Sequence, residues 1–232
     1  MIGIDAIREN LARVKETVAQ VALSAGVPLP TLVAVTKSAE NEDVLALCSL
    51  GITDIAENRT SLFNERYRLF SDACRPRMHL IGSLQTNKVK DIIGKTALVQ
   101  SVDRPSLAKE LDRLSAKLSI QTEVLLEVNS GREESKGGVL PEEALSLAEE
   151  ICAHPHLSLR GVMTMGPLGA EEKVTRACFR ETALLCRTLC ERGYLSGDPI
   201  LSMGMSESYS VAIQEGATMI RVGRTLFAPK NI

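Results

Sequence analysis

Lys37 ends an apolar, β-branched run, LVAVTK, and is followed by small, polar and acidic residues. A lysine amine in its neutral form attacks carbonyl compounds and forms an imine. A free lysine has a pKa of about 10.4, so such a lysine requires desolvation or a neighbouring cation. We expect Arg221 and an apolar rim to provide both; the rim residues are Val35, Met163 and Met165. The run alone is more typical of an exposed lysine at a strand end.

Two segments near the C-terminus have the residues of a phosphate site. MGMSES contains a glycine, the hydroxyl of Ser206 and a predicted helix start, and RVGRT contains Arg221, Gly223 and the hydroxyl of Thr225. Backbone N–H groups in such turns bind anions, and in (β/α)8 barrels the loops after strands 7 and 8 often do so. Either segment alone is also typical of a structural turn. Opposite Lys37, the pair indicates a phosphorylated carbonyl compound bound as an imine.

Short apolar runs that alternate with helical segments must position these residues. An amphipathic helix is predicted from Ile4 to Ala25. Eight strands are then predicted near residues 32–36, 52–56, 78–81, 97–102, 121–128, 158–164, 199–203 and 218–222. This order predicts an α/β fold, a single (β/α)8 TIM-type barrel with an extra N-terminal helix that spans residues 1–232 as one domain. An open doubly wound sheet is the alternative.

The predicted strand ends collect the unusual residues at one rim, which is where active sites lie in such barrels. Lys37, Glu57, Asn58 and Asp103 follow the first, second and fourth strands. The loops after the other strands are GSLQTNK, NSGREESKGG, MTMG, MGMSES and RVGRT. Loops are generally polar, but agreement among so many segments favours a functional rim.

Composition argues against several other classes of protein. The 27 Lys and Arg residues and 29 Asp and Glu residues give a net charge of -2, which predicts no nucleic-acid partner. No signal peptide or membrane-spanning run is apparent, so we expect a soluble cytoplasmic protein. The six cysteines are scattered and the three histidines lie far from the closest cysteine pair, so we expect no metal site. We interpret His79 as a hydrogen-bonded barrel histidine.

The motifs together resemble one family. AVTK, ENRTSLFNE, HLIGSLQTNKVK, SVDR, EVNSGREESKGG, RGVMTM, SMGMSES and GATMIRVGRTLF occur in the order and at the approximate spacings of the pyridoxal phosphate homeostasis protein family. That family in turn resembles the barrel domain of bacterial alanine racemase. The departures are local: Ala56, Ser208 and Ala228 stand where the family commonly has a glycine, an acidic residue and a glycine.

The resemblance implies a cofactor, pyridoxal 5'-phosphate (PLP), and a role for each site residue. Lys37 is similar to the lysine that carries PLP as a Schiff base. Asn58 resembles a residue that lines the pocket, and Arg221 resembles the partner of the pyridine nitrogen. The phosphate cradle implied by the resemblance consists of Ser206, Gly223, Arg224 and Thr225.

The implied function is intracellular PLP homeostasis, meaning storage, buffering or delivery of PLP without efficient catalysis. PLP-dependent apoenzymes are the partners that this role implies, and we expect a monomer or weak dimer. The alternative is a PLP-dependent amino-acid racemase, and a lysine-imine aldolase is a third possibility. Racemisation requires a second base, which alanine racemase takes from a separate domain that we expect this chain to lack. Tyr209 is the tyrosine predicted nearest the rim.

Overall fold

The helix at the N-terminus packs one apolar stripe against the rest of the fold. The structure is a computed structural model that describes residues 2–133, 136–167 and 169–229. Helix α1 spans Ile4–Ala25, as predicted, and Gly26 ends it in the left-handed conformation (φ 66°). The Asn10 side chain of α1 donates to the carbonyl oxygens of Leu226 and Ala228, at 3.1 and 2.9 Å, so the first helix holds the last segment.

Eight parallel strands form a closed barrel in which each strand pairs with the next and β1 pairs with β8. The predicted (β/α)8 fold is therefore confirmed. No strand boundary differs by more than two residues from the prediction. The strands are β1 Thr31–Val35, β2 Asp54–Glu57, β3 Arg77–Leu80, β4 Leu98–Val102, β5 Thr122–Val128, β6 Leu157–Thr164, β7 Ile200–Ser202 and β8 Met219–Val222.

Helices connect the strands on the outside of the barrel. They are α2 Asn41–Ser49, α3 Thr60–Arg68, α4 Val89–Ile92, α5 Pro105–Leu118, α6 Ala144–Cys152, α7 Glu172–Glu191 and α8 Tyr209–Gln214. The helix predicted over QTNKVKDII is shorter than expected, because residues Thr86–Lys88 form a 3-10 turn and the backbone is extended at Ile93. Among the helices of the described ranges, none has the length and apolar character needed to cross a membrane.

The strands are buried on both faces, as expected for a parallel sheet covered by helices. Large side chains such as Phe63 and Phe179 fill the space between the strands and the helices. A second apolar cluster fills the inside of the barrel; it consists of Val33, Ala56, Leu98, Leu125, Met163 and Met219. These side chains form an apolar layer inside the barrel.

Charged side chains occupy the barrel floor, at the amino ends of the strands. Asp54 and Arg77 are the first residues of β2 and β3, and their side chains approach to 3.7 Å. Glu123 of β5 lies 4.0 Å from Arg77 and also forms an ion pair with Arg160. Side chains of alternating charge therefore lie across the amino-terminal end of the barrel.

Candidate functional site

Lys37 lies beside the turn that follows β8. The pairing of β1 with β8 places Val33 next to Arg221 and Ala34 next to Val222. A Cβ atom added to Gly223 would lie 2.9 Å from the Val35 carbonyl oxygen, so the two strand ends are in close contact. Barrel closure makes the first and last strands neighbours, so the end of β1 that carries Lys37 lies next to this turn.

The environment of Lys37 differs from the expectation of a desolvated amine. Lys37 is exposed, whereas Met163 is fully buried in the apolar layer inside the barrel. Val35 and Met165 are half-buried and pack against that layer. The apolar side chains thus lie below the lysine, and water reaches its amine.

The turns after β7 and β8 meet at Ser206. Its Oγ accepts hydrogen bonds from the backbone N–H groups of Gly223 and Thr225, each at 3.4 Å. Within the described part of the chain, the N–H groups of Ser206 and Arg224 make no hydrogen bond. Gly204 has φ 89°, and a Cβ atom there would lie 2.5 Å from that of Ala212. The glycine therefore permits the close packing that brings the two turns together.

Arg224 contributes to this site through its backbone. Its side chain is exposed and pairs with Glu207 at 2.9 Å. The arrangement of N–H groups around a hydroxyl suits a phosphate, because such donors bind an anion without a cationic side chain. The predicted cradle residues Ser206, Gly223, Arg224 and Thr225 are thus brought together.

Arg221 lies inside the barrel, buried below the mouth. Its Nη1 donates to Ser202 Oγ at 2.7 Å, and its Nη2 donates to the Thr164 carbonyl oxygen at 2.9 Å. Burial lowers the pKa of Arg221 to about 10, although the nearby Glu127 carboxylate opposes that shift. The guanidinium therefore keeps its charge at neutral pH in a fixed orientation.

Glu127 is a buried carboxyl that the sequence analysis missed. Burial raises its pKa to about 7, the charge of Asp103 adds to that shift, and Arg221 opposes it. A Cβ atom on Gly137 would lie 3.5 Å from both carboxylate oxygens, so the loop after β5 packs over them. The signal was present: Glu127 follows Leu125 by two residues in TEVLLEV and must share its inward face.

Glu57 and Asn58, at the end of β2, have different surroundings. Asn58 is half-buried, and the backbone of Gly82 packs directly against it. Glu57 was predicted as a rim residue, but it is the last residue of β2 and is buried on the outer side of the barrel. There it accepts a 2.5 Å hydrogen bond from Thr36 Oγ1.

Arg66 of α3 completes this buried group. Its Nε lies 3.4 Å from Glu57, and it also donates to the Ala39 carbonyl oxygen and to the Asn41 side chain. Burial raises the pKa of Glu57 and outweighs the opposing effects of Thr36 and Arg66. The residues on both sides of Lys37 are therefore held in place by contacts with α3, which lies on the outside of the barrel.

Two other predictions concern residues near the mouth. Tyr209 begins α8 and is half-buried beside Gly204. In the predicted rim loop NSGREESKGG, Glu134 and Ser135 lie outside the described residues. No group of three or more His, Cys, Asp or Glu side chains suited to a metal ion occurs among the residues that are described.

Comparison with known proteins agrees with the barrel fold. The family model described as alanine racemase, N-terminal domain, matches residues 2–230. A pyridoxal phosphate homeostasis protein of Aquifex aeolicus is 38% identical over 225 residues, which cover 96% of this chain and 98% of that protein.

Solved structures show the same barrel. An unknown protein from Bifidobacterium adolescentis matches with a TM-score of 0.87 and 30% identity, covering 96% of this chain and 95% of that chain. PipY of Synechococcus elongatus, solved with PLP bound, matches with a TM-score of 0.83 and 27% identity, covering 96% of this chain and 100% of that chain.

The fold and its mouth thus define a barrel of the alanine racemase N-terminal domain class. Within that class, the chain belongs to the pyridoxal phosphate homeostasis protein family.

Proposed function

We propose that this chain is a single PLP-binding barrel domain that holds the cofactor as a Schiff base on Lys37 and serves PLP homeostasis. The observation that carries the proposal is the juxtaposition of Lys37 with the anion-binding turn of Gly223. A relative of 27% identity has been solved with PLP bound. Bound PLP would supply an aldehyde that reacts with amines and an electron-withdrawing ring.

The residues at the mouth fit three of the polar groups of PLP. The phosphate fits the N–H groups and hydroxyl around Ser206 and Gly223, which supply donors to an anion. Lys37 would supply the amine that joins the aldehyde, with loss of one water. Arg221 would donate a hydrogen bond to the pyridine nitrogen, and Asn58 would line the pocket.

The exposure of Lys37 supports exchange in preference to catalysis. Incoming amines reach the lysine, so bound PLP can be displaced and passed to PLP-dependent apoenzymes. Arg221 remains charged and leaves the pyridine nitrogen unprotonated, which weakens the ring as an electron sink. Both properties support storage or delivery without efficient turnover.

A racemase is the second candidate, and one observation favours it. Glu127 is buried near Arg221 with a pKa of about 7, which suits a group that exchanges protons at neutral pH. We place the homeostasis role first because the relative of 38% identity has that name and matches almost the whole chain.

The decisive experiment is an absorbance spectrum and an intact mass before and after borohydride reduction. We expect a visible Schiff-base band and, after reduction, one added cofactor on Lys37. Lys37→Ala should abolish both. Lys88→Ala is the matched control, since Lys88 is also exposed and follows a barrel strand. Attachment of the cofactor mainly to another lysine would contradict the proposal.

A further inference from the structure

A continuous chain of hydrogen bonds runs through the inside of the barrel from Arg221 to the floor. Arg221 Nη1 contacts Ser202 Oγ at 2.7 Å, and Ser202 Oγ contacts Gln100 Oε1 at 2.7 Å. Gln100 Nε2 lies 3.0 Å from His79 Nδ1, and His79 Nε2 lies 2.9 Å from Asp54 Oδ1. The prediction of His79 as a hydrogen-bonded barrel histidine is confirmed.

The hydrogen-bond donors in this chain are all oriented in one direction, from Arg221 toward Asp54. Arg221 can only donate, so the Ser202 hydroxyl accepts from it and donates to Gln100. The Gln100 amide donates to Nδ1 of His79, which leaves the imidazole hydrogen on Nε2, facing Asp54. The chain therefore runs from a cation at the mouth side to a carboxylate at the floor.

Each member of the chain is buried inside the barrel. Ser202, Gln100 and His79 are fully buried, and Asp54 is 5% exposed. Buried polar groups cost free energy unless they are paired, so a complete chain tolerates little displacement of any member. Burial raises the pKa of Asp54, but hydrogen bonds from His79 and Thr53 outweigh it, so that pKa is lowered overall and the carboxylate stays charged.

We propose that Ser202, Gln100, His79 and Asp54 are positioning residues that orient Arg221 toward the pyridine nitrogen of PLP. This inference rests on the proposed function. Two of the five N–H groups of the guanidinium bond Ser202 and the Thr164 carbonyl, and both partners lie inside the barrel. These two contacts fix the direction of the other N–H donors of Arg221. Loss of the hydrogen-bond chain would therefore turn those donors away from the pyridine nitrogen.

A purely structural role makes a different prediction from a positioning role. If the chain only satisfies buried polar groups, breaking it weakens the fold and affects all ligands of the mouth equally. If it orients Arg221, breaking it weakens only those ligands that have a ring nitrogen. PLP and its 1-deaza analogue, in which C–H replaces the ring nitrogen, separate the two roles.

The test measures the affinity of PLP and of its deaza analogue for the wild-type protein and for variants with a substitution in β4. Gln100→Leu breaks the chain at a residue whose bonded partners lie on β3, β7 and β8. We expect its affinity for PLP to fall about tenfold, the scale of one hydrogen bond. Its affinity for the deaza analogue should change less than twofold.

Two controls accompany this variant. Leu98→Val shortens a fully buried side chain of the same strand, and both ligands should respond to it equally. Gln100→Glu keeps an acceptor for the Ser202 hydroxyl, so the contact that holds Arg221 remains. The ratio of the two affinities should therefore return to within threefold of the wild-type value.

Ser202→Ala provides a second break if Gln100→Leu does not fold, and we expect the same selective loss. Equal losses for both ligands in the variants that break the chain would overturn the positioning role, even if PLP binds normally to the wild-type chain. Failure of the wild-type chain to bind PLP would overturn the proposed function and this inference with it.

Discussion

Nη2 of Arg66 donates a 2.5 Å hydrogen bond to the carbonyl oxygen of Ala39, two residues after Lys37. The same side chain lies 3.4 Å from Glu57, whose carboxylate is fully buried. Helix α3 therefore holds the backbone that carries the lysine, although α3 itself contributes no group to the mouth.

Arg66→Ala should lower the free energy of unfolding by about 3 to 5 kcal/mol, because it leaves Glu57 buried without its cationic partner. PLP affinity should fall as well, since the turn at Lys37 loses its support. Urea unfolding followed by circular dichroism measures the first effect. Arg68→Ala, an exposed arginine of the same helix, is the control and should change stability by less than about 0.5 kcal/mol.

Glu127 predicts a stability that falls as the pH rises. Its pKa is raised to about 7 in the folded chain, so the folded state holds a proton that the unfolded state releases from about pH 4.5 upward. This contribution is fully present below the unfolded pKa and is lost as the pH passes through 7; it amounts to about 3 kcal/mol.

Glu127→Gln should remove that part of the pH dependence and make the chain more stable than wild type at pH 8. Thermal unfolding between pH 5 and pH 8 checks this. Glu149→Gln changes an exposed carboxylate of α6 and should leave the wild-type profile in place. Identical slopes for wild type and Glu127→Gln would contradict the assignment.

Ser206→Ala should weaken PLP binding by about 1 to 2 kcal/mol, the scale of one hydrogen bond to a charged group. Pyridoxal, which lacks the phosphate, should bind much more weakly and should not distinguish the variant from wild type. Equilibrium titration with both ligands measures the difference. Equal affinity for PLP and pyridoxal would exclude a phosphate site in these turns.

Arg224→Ala should change PLP affinity less than twofold, because the arginine side chain is directed to Glu207 and only its backbone faces the turn. The same titration checks this outcome. A loss as large as that of Ser206→Ala would show that the guanidinium itself contacts the phosphate.

Racemisation of alanine should proceed no faster than with free PLP, within about tenfold, because Arg221 keeps the ring in its less activating form. A time course by chiral chromatography measures the rate, with Lys37→Ala as control. Turnover at about 1 to 1000 per second would favour the racemase instead. Glu127 and Tyr209 would then be the residues to substitute first.

Sequence reasoning succeeded for the strands because both of their faces are buried, and such strands appear as short apolar runs between helical segments. It failed for Glu57 because the predicted second strand stopped one residue early, at residue 56. In a strand, one residue decides which side a side chain faces, and Glu57, as the last residue of β2, points outward.

The sequence could not predict which side chains of distant strands contact each other. Gln100 and Ser202 are 102 residues apart, and nothing in LVQSV or ILSM indicates that they bond each other. The run LVAVTK alone is typical of an exposed lysine, which is what the structure has; the expectation of a desolvated amine depended on contacts with distant rim segments that the sequence does not place.

The amide of Asn10 has a consequence for synthesis of the chain. It bonds the carbonyl oxygens of Leu226 and Ala228, just beyond the turn at Gly223, and β1 pairs with β8 above the same region. On the ribosome, Lys37 emerges early, whereas β8, which pairs with β1, and the turn at Gly223 emerge much later. A growing polypeptide that has not yet reached β8 therefore lacks one side of the site proposed for the cofactor.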